Sequence, residues 1–145
     1  MSKHTLTRKD FPHFGKVSTR WTDNDIYGHV NNAVYYHYFD SVINDYLISD
    51  GGLDIHDGEV VGFIVHSECD YLSAVNYPGD LEVGIATRKV GNSSVTYQVG
   101  LFQLGAEQAS ALGSMVHVFV QQSTGKPVPI PPALRQAMER IAHPV

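Results

Sequence analysis

The stretch Arg20–Asp40, RWTDNDIYGHVNNAVYYHYFD, constrains this chain more than any other. Two carboxylates, Asp23 and Asp25, are followed by Gly28, His29 and the pair Asn31–Asn32, and then by a run crowded with aromatics. Asp, Asn and Gly at that density make a loop over Asp23–Asn31, because their side chains bond nearby backbone and Gly accepts a tight turn. Beyond it the spacing becomes helical. Tyr35, Tyr38, Phe39, Val42 and Tyr46 recur on one face, while His37, Asp40, Ser41, Asn44 and Asp45 gather on another. Ala33, Val34, Tyr36, Ile43 and Leu47 widen the apolar surface, so the predicted helix Asn32–Ser49 must lie against a sheet or in the core. Asn31 or Asn32 is the expected N-cap, and Gly51–Gly52 the expected end.

The rest of the chain reads as strands around this helix. Lys16–Trp21 is a short candidate strand, after a polar lead-in over 1–14. Val60–Tyr71, Asp80–Val90, Ser94–Leu104 and Ser110–Gln122 are rich in Val, Ile, Leu and aromatics, several with strict alternation. Tyr77-Pro78-Gly79, Gly91-Asn92 and Gly105-Ala106 break them, and Gly91-Asn92 is short enough for a tight hairpin. Thr124–Pro132 is too rich in Pro for a central strand, and Pro131 or Pro132 then opens a short helix to about Ile141. A strand, a long helix and a run of antiparallel strands make an α+β layout with one helix on a curved sheet.

At 145 residues the chain is expected to be one domain, with no repeat and no second unit. A net charge of −5 opposes a nucleic-acid binder, which gains affinity from a basic face. One cysteine, Cys69, leaves no disulfide framework and no Cys-based zinc cluster; a small core residue is its ordinary role. His66 with Glu68, and His29 with His37, repeat no familiar metal spacing, so no metal and no cofactor are expected. The N-terminus lacks a signal-peptide core, and no run is long and apolar enough for a membrane span. A cytoplasmic setting is the simplest expectation.

The loop-to-helix junction is where chemistry can reside. Backbone N–H groups at a helix start lack intrahelical acceptors, and the helix dipole adds positive potential there. Such a place suits an anion and can stabilise a developing oxyanion. Asp and Asn before a helix are equally ordinary caps, so composition alone does not separate a site from a turn.

The order Asp23-x-Asp25-x-x-Gly28-His29-x-x-Asn32, followed by a buried helix, resembles the hotdog-fold acyl-CoA thioesterases related to 4-hydroxybenzoyl-CoA thioesterase. The resemblance spans about residues 15–141, and Asp80-x-Glu82 and Gly91-Asn92-Ser93-Ser94 fit the same pattern. It implies a hotdog fold of about five strands and hydrolysis of acyl-CoA, or acyl carrier protein, thioesters. It assigns catalysis to Asp25, as nucleophile or as general base, and oxyanion binding to the Asn32 backbone N–H. His29 orients the loop or touches substrate, and Asp23 is structural. Tyr27, Asn31 and Phe63 are expected at the substrate, with Tyr35 and Phe39 as further pocket candidates. Arg88, Lys89, Ser93 and Ser94, two cations beside hydroxyls, are expected at the pantetheine and nucleotide of coenzyme A. Sheet-edge pairing into a homodimer or homotetramer is implied, with Asp25 of one chain facing the Val60–Glu68 strand of its neighbour. The resemblance leaves two alternatives. A non-catalytic acyl-CoA-binding module need not keep the acid. A hotdog hydratase resembles Asp-x-Asn-Pro-x-His, whereas here His29 follows Asp25 by four residues with no Pro between.

Overall fold

The computed structural model describes residues 6–143. Strand β1 (His13–Ser18) leads through a 3-10 turn (Trp21–Asp23) and a loop into helix α1 (Val34–Ser49). Four strands follow, β2 (Val60–Tyr71), β3 (Asp80–Val90), β4 (Ser94–Gln103) and β5 (Ala111–Gln121), and then a short helix α2 (Pro132–Arg140). The five strands pair antiparallel with one another, in the order β1-β3-β4-β5-β2. This is the hotdog fold, one long helix against a five-stranded sheet.

The helix sits where its apolar face requires. Phe39, Val42, Ile43, Tyr46 and Leu47 are buried against Val83, Ile85, Tyr97, Val99, Leu101, Met115 and Phe119 of the sheet. Burying such side chains supplies roughly 1.5–3 kcal/mol each, which holds the helix to the sheet more firmly than its own propensity. The fit at β1 depends on a missing side chain: a Cβ on Gly15 would lie 2.7 Å from Val42 Cγ1. In the core, burial pushes the His117 imidazole down to about 4, and its Nδ1 lies 3.1 Å from the Tyr97 hydroxyl.

Three local expectations are corrected. The first strand is His13–Ser18 rather than Lys16–Trp21, since Trp21 belongs to the 3-10 turn that the Asp23 side chain closes. The helix begins at Val34 with Ala33 as its cap. Asn31 instead closes the turn before it, accepting the Ala33 N–H on Oδ1 and the Val34 N–H on its carbonyl. The lead-in is packed from Leu6 onward, while its first five residues lie outside the described ones. Leu6 and Phe11 are buried with Phe102 and Leu112 on the sheet face away from α1. Arg8 pairs with Glu82 at 2.6 Å and lies over the Phe14 ring. A polar string can pack this way because Leu6 and Phe11 meet a sheet face that α1 leaves uncovered.

The two edges of the sheet differ. β1 is an edge strand of 6 residues, whereas β2 is an edge strand of 12 residues with Phe63, Ile64 and Val65 exposed.

Candidate active site

The loop before α1 is built on Asp23, which is 1% exposed. Its Oδ2 accepts the Tyr38 hydroxyl at 2.6 Å and the Arg20 backbone N–H at 2.9 Å. Its Oδ1 accepts the Arg20 guanidinium at 3.1 and 3.2 Å. Burial works against the charge of Asp23, yet the Tyr38 hydroxyl and the Arg20 donors outweigh it and hold the carboxyl below its ordinary range. Burial and the same contact push the Tyr38 hydroxyl upward. The Asn31 N–H then donates to the Asp23 carbonyl at 2.9 Å, so both ends of the loop close on one residue.

Asp25 stands on the outer side of this knot. The Tyr27 N–H donates to its Oδ1 at 2.9 Å, and Asn31 Nδ2 approaches its Oδ2 at 3.4 Å. The Asp25 N–H donates to the His29 carbonyl, and the Gly28 N–H to the Asp25 carbonyl. Gly28 has φ +82°, a conformation that residues other than Gly rarely adopt, and so lets the loop turn back on itself.

Asp25 and Asn32 share a groove of about 410 Å³, walled by His29, Val30, Tyr35, Tyr71 and Leu72. The Tyr71 hydroxyl donates to the Asn32 carbonyl at 3.1 Å, which fixes the Asn32–Ala33 peptide. Among the described residues the Asn32 N–H donates no intramolecular hydrogen bond. The groove is therefore lined both by Asp25 and by a residue two positions before α1 whose backbone N–H is unpaired among the described residues. One helical turn beyond Asn32, Tyr36 opens a smaller cavity of about 270 Å³, with His37, Asp40, Ile64 and Ser67 between α1 and β2. A further groove of about 390 Å³ meets Asp25 from the other side, lined by Trp21, Asn24, Ile26 and Gly28.

The structure brings Asp25, His29 and Asn32 to one groove, with Asn31 and the Tyr27 N–H bonded to Asp25. The Tyr27 ring is itself exposed. Phe63 is not among them. It pairs with Val118, whose neighbour Phe119 faces α1, so Phe63 and Val118 face the opposite side of the sheet. Phe39 is wholly buried core. Arg88, Lys89, Ser93 and Ser94 lie at the far end of the sheet. Thr19 and Asn24 bond Gly79 and Tyr77 just before β3, whereas Arg88 and Lys89 close that strand, roughly 30 Å away along it. Within one chain they are remote from Asp25. Sequence reasoning missed Tyr71 as a wall of the site and Trp21 as its neighbour. Tyr71 stood at the end of a β pattern, which carries no hint of a bond to a residue 39 positions earlier.

Among the described residues no three His, Cys, Asp or Glu side chains gather as a metal site. Among them, too, no helix is long and apolar enough to cross a membrane.

Comparison with known proteins bears on this geometry. A family model described as the thioesterase-like superfamily matches residues 19–138. The chain is 30% identical over 121 residues to the protein YsmA of Bacillus subtilis strain 168, covering 83% of this chain and 81% of that one. The crystal structure of the PA5185 protein from Pseudomonas aeruginosa strain PAO1 superposes with a TM-score of 0.94 at 48% identity, over 95% of this chain and 96% of that one. A thioesterase from Thermus thermophilus, complexed with coenzyme A and Zn, superposes with a TM-score of 0.76 at 28% identity, over 92% and 96% of the two chains. With a family model covering most of its length and its loop and helix folded as described, this chain belongs to the thioesterase-like superfamily.

Proposed function

We propose that the protein hydrolyses acyl-CoA thioesters to the free acid and coenzyme A, with Asp25 and the Asn32 N–H as its working groups. The observation that carries this is the shared groove, lined by the carboxylate residue Asp25 and by Asn32, whose N–H donates no intramolecular bond among the described residues. A thioester needs an attacking oxygen and a donor for the tetrahedral oxyanion. As general base, Asp25 takes a proton from water while the water oxygen bonds the carbonyl carbon. The oxyanion forms against the Asn32 N–H, then collapses and expels the thiolate, which is protonated to coenzyme A. As nucleophile, Asp25 instead forms an acyl anhydride as the thiolate leaves, and water hydrolyses it. The acyl group lies along α1, toward Tyr35 and the cavity at Tyr36. The coenzyme A complex of the Thermus thermophilus thioesterase supports this class of substrate.

The test is thiol release from short-, medium-, long-chain and aromatic acyl-CoAs by wild type and by a folded Asp25→Asn variant. Turnover in the wild type that is lost in the variant is expected. Turnover that survives in the variant moves the role to another group, and none in either protein sinks the hydrolase reading.

The second part of the proposal is a homodimer, or a tetramer of dimers, built through β2. Around Phe63, Ile64 and Val65 its outer edge has no neighbouring strand among the described residues and offers three apolar side chains to another copy. Antiparallel pairing of two β2 edges sets the Val60 end of one beside the Tyr71 end of the other. The Gly91–Ser94 turn lies near the Val60 end, since Ser94 pairs with Val118 and Val118 with Phe63. One copy's Arg88, Lys89, Ser93 and Ser94 then approach the other's Asp25 groove, where coenzyme A phosphates need cations. Light scattering at micromolar concentration should report at least a dimer, and Ile64→Lys with Val65→Lys should weaken it. A wild-type monomer excludes this arrangement.

A further inference from the structure

A thioester reaches its carbonyl carbon with two arms, and Asp25 is met by two grooves. The acyl arm has its place on the helix side, where Asn32, Tyr35 and Tyr71 line the wall. The groove on the other side is lined by Trp21, Asn24, Ile26 and Gly28. We propose that this second groove holds the thiol-side arm, the amide-bearing pantetheine chain next to sulfur, with Trp21 as its specificity-determining residue. This rests on the thioesterase reading of Asp25.

Trp21 is 80% exposed, an unusual position for an indole, yet it is held. It opens the 3-10 turn that Asp23 and Arg20 close. Its ring meets Tyr77 edge to face, with centroids 6.1 Å apart at 90°. Asn24 ties the same loop to Tyr77 by two bonds, Nδ2 donating to the Tyr77 carbonyl at 3.2 Å and Oδ1 accepting the Tyr77 N–H at 3.0 Å. The groove therefore has a fixed aromatic wall with its surface open to solvent. Ile26, 94% exposed, adds an apolar wall to the same groove. A chain of methylenes and planar amides suits such walls. The methylenes gain by leaving water, the amide planes stack on the indole, and the amide polar edges stay solvated at the open side. A bare fatty chain gains only the first of these. Among the described residues no charged side chain lines this groove except Asp25 itself, so it suits the neutral arm and not the phosphates.

The arm reaches the protein either on coenzyme A or on an acyl carrier protein, and both carry the same pantetheine. Trp21 is the chain's one tryptophan, so indole emission reports on this position alone. The experiment titrates the wild-type protein with pantetheine, with coenzyme A, and with carrier protein bearing the phosphopantetheine arm. Acrylamide quenching is read throughout. In the free protein the indole should be accessible to quencher. Saturating pantetheine should shift its emission to shorter wavelength and protect it. Whichever of the two carriers gives the same response at the lower concentration is the source.

An unchanged emission with pantetheine and coenzyme A overturns the proposal. So does an indole already shielded in the free protein, because a second copy of the chain then occupies the groove. Kinetics give an independent reading. Trp21→Ala should raise KM for acyl-CoA about tenfold, the usual worth of one aromatic contact. The effect should be clearly smaller on the ethanethiol thioester of the same acyl group. Equal effects on both substrates overturn the assignment. If emission answers to pantetheine while no thioester is turned over, the hydrolase reading fails and the pantetheine groove stands.

Discussion

Asp23 and Asp25 stand two residues apart on one loop, and their surroundings have almost nothing in common. Asp23 is closed off from solvent and accepts four donors, from Tyr38 and Arg20. Asp25 accepts one backbone N–H at 2.9 Å and one distant amide, and otherwise faces two grooves. A carboxylate saturated with donors holds structure together, whereas one with free oxygen capacity beside an open cavity can do chemistry. The difference comes from which residues the rest of the fold brings near, since the two side chains are the same.

Substitutions at the two positions should separate activity from stability. Asp25→Asn should lower kcat by roughly 10²–10⁴-fold while the thermal midpoint stays near wild type; a large fall in midpoint with retained activity per folded molecule would reverse the comparison. Asp23→Asn should do the opposite. An amide cannot accept all the Arg20 and Tyr38 donors, and losing the charge that the Tyr38 hydroxyl and the Arg20 backbone N–H bond costs about 3 kcal/mol. Denaturant midpoints measure that loss, and turnover per folded molecule should change far less. Tyr38→Phe should cost less, about 1–2 kcal/mol, because it removes one charge-assisted bond and leaves the others.

Acidification sharpens the same contrast. The native Asp23 carboxyl titrates below its ordinary value, so its stabilisation is fully present above the unfolded value of 3.8 and is lost as pH falls through the lower native one. His117 acts earlier. Its native value of about 4 lies below the ordinary 6.5, so stability falls as pH drops from 6.5 toward 4, when the unfolded chain binds the proton first. Stability curves of wild type and Asp23→Asn should therefore run parallel from pH 6.5 to 4 and converge only below that. Convergence already at about pH 5 would remove Asp23 from its assigned role.

The fold was largely legible. The bounds of Val60–Tyr71 and Asp80–Val90 follow from their β-rich runs and the Pro and Gly that bracket them, and the long helix follows from its helical period. Its first turn was not legible, because Asn31 and Asn32 both suit a cap. Which of them bonds what depends on the loop closing back on Asp23. At the site, the family pattern directed attention to Asp25 and Asn32, and the geometry is compatible with both. Phe63 and the Arg88–Ser94 group could not be located from spacing. Their position depends on sheet register, on a shift between Ile64 and His66, and on strand direction.

The sequence by itself determined the local elements and the chemical content of the loop, because period, turn composition and apolar patterning act over a few neighbouring residues. Only the tertiary structure decided which carboxylate is buried, which backbone donor is free and which aromatics wall the grooves. Those outcomes depend on contacts between distant segments: Tyr38 to Asp23, Tyr71 to Asn32, Tyr77 to Asn24. Each forms only once helix and sheet have packed, because apolar burial, which is non-directional, drives the approach, and the hydrogen bonds then select the arrangement that leaves no buried polar group unpaired.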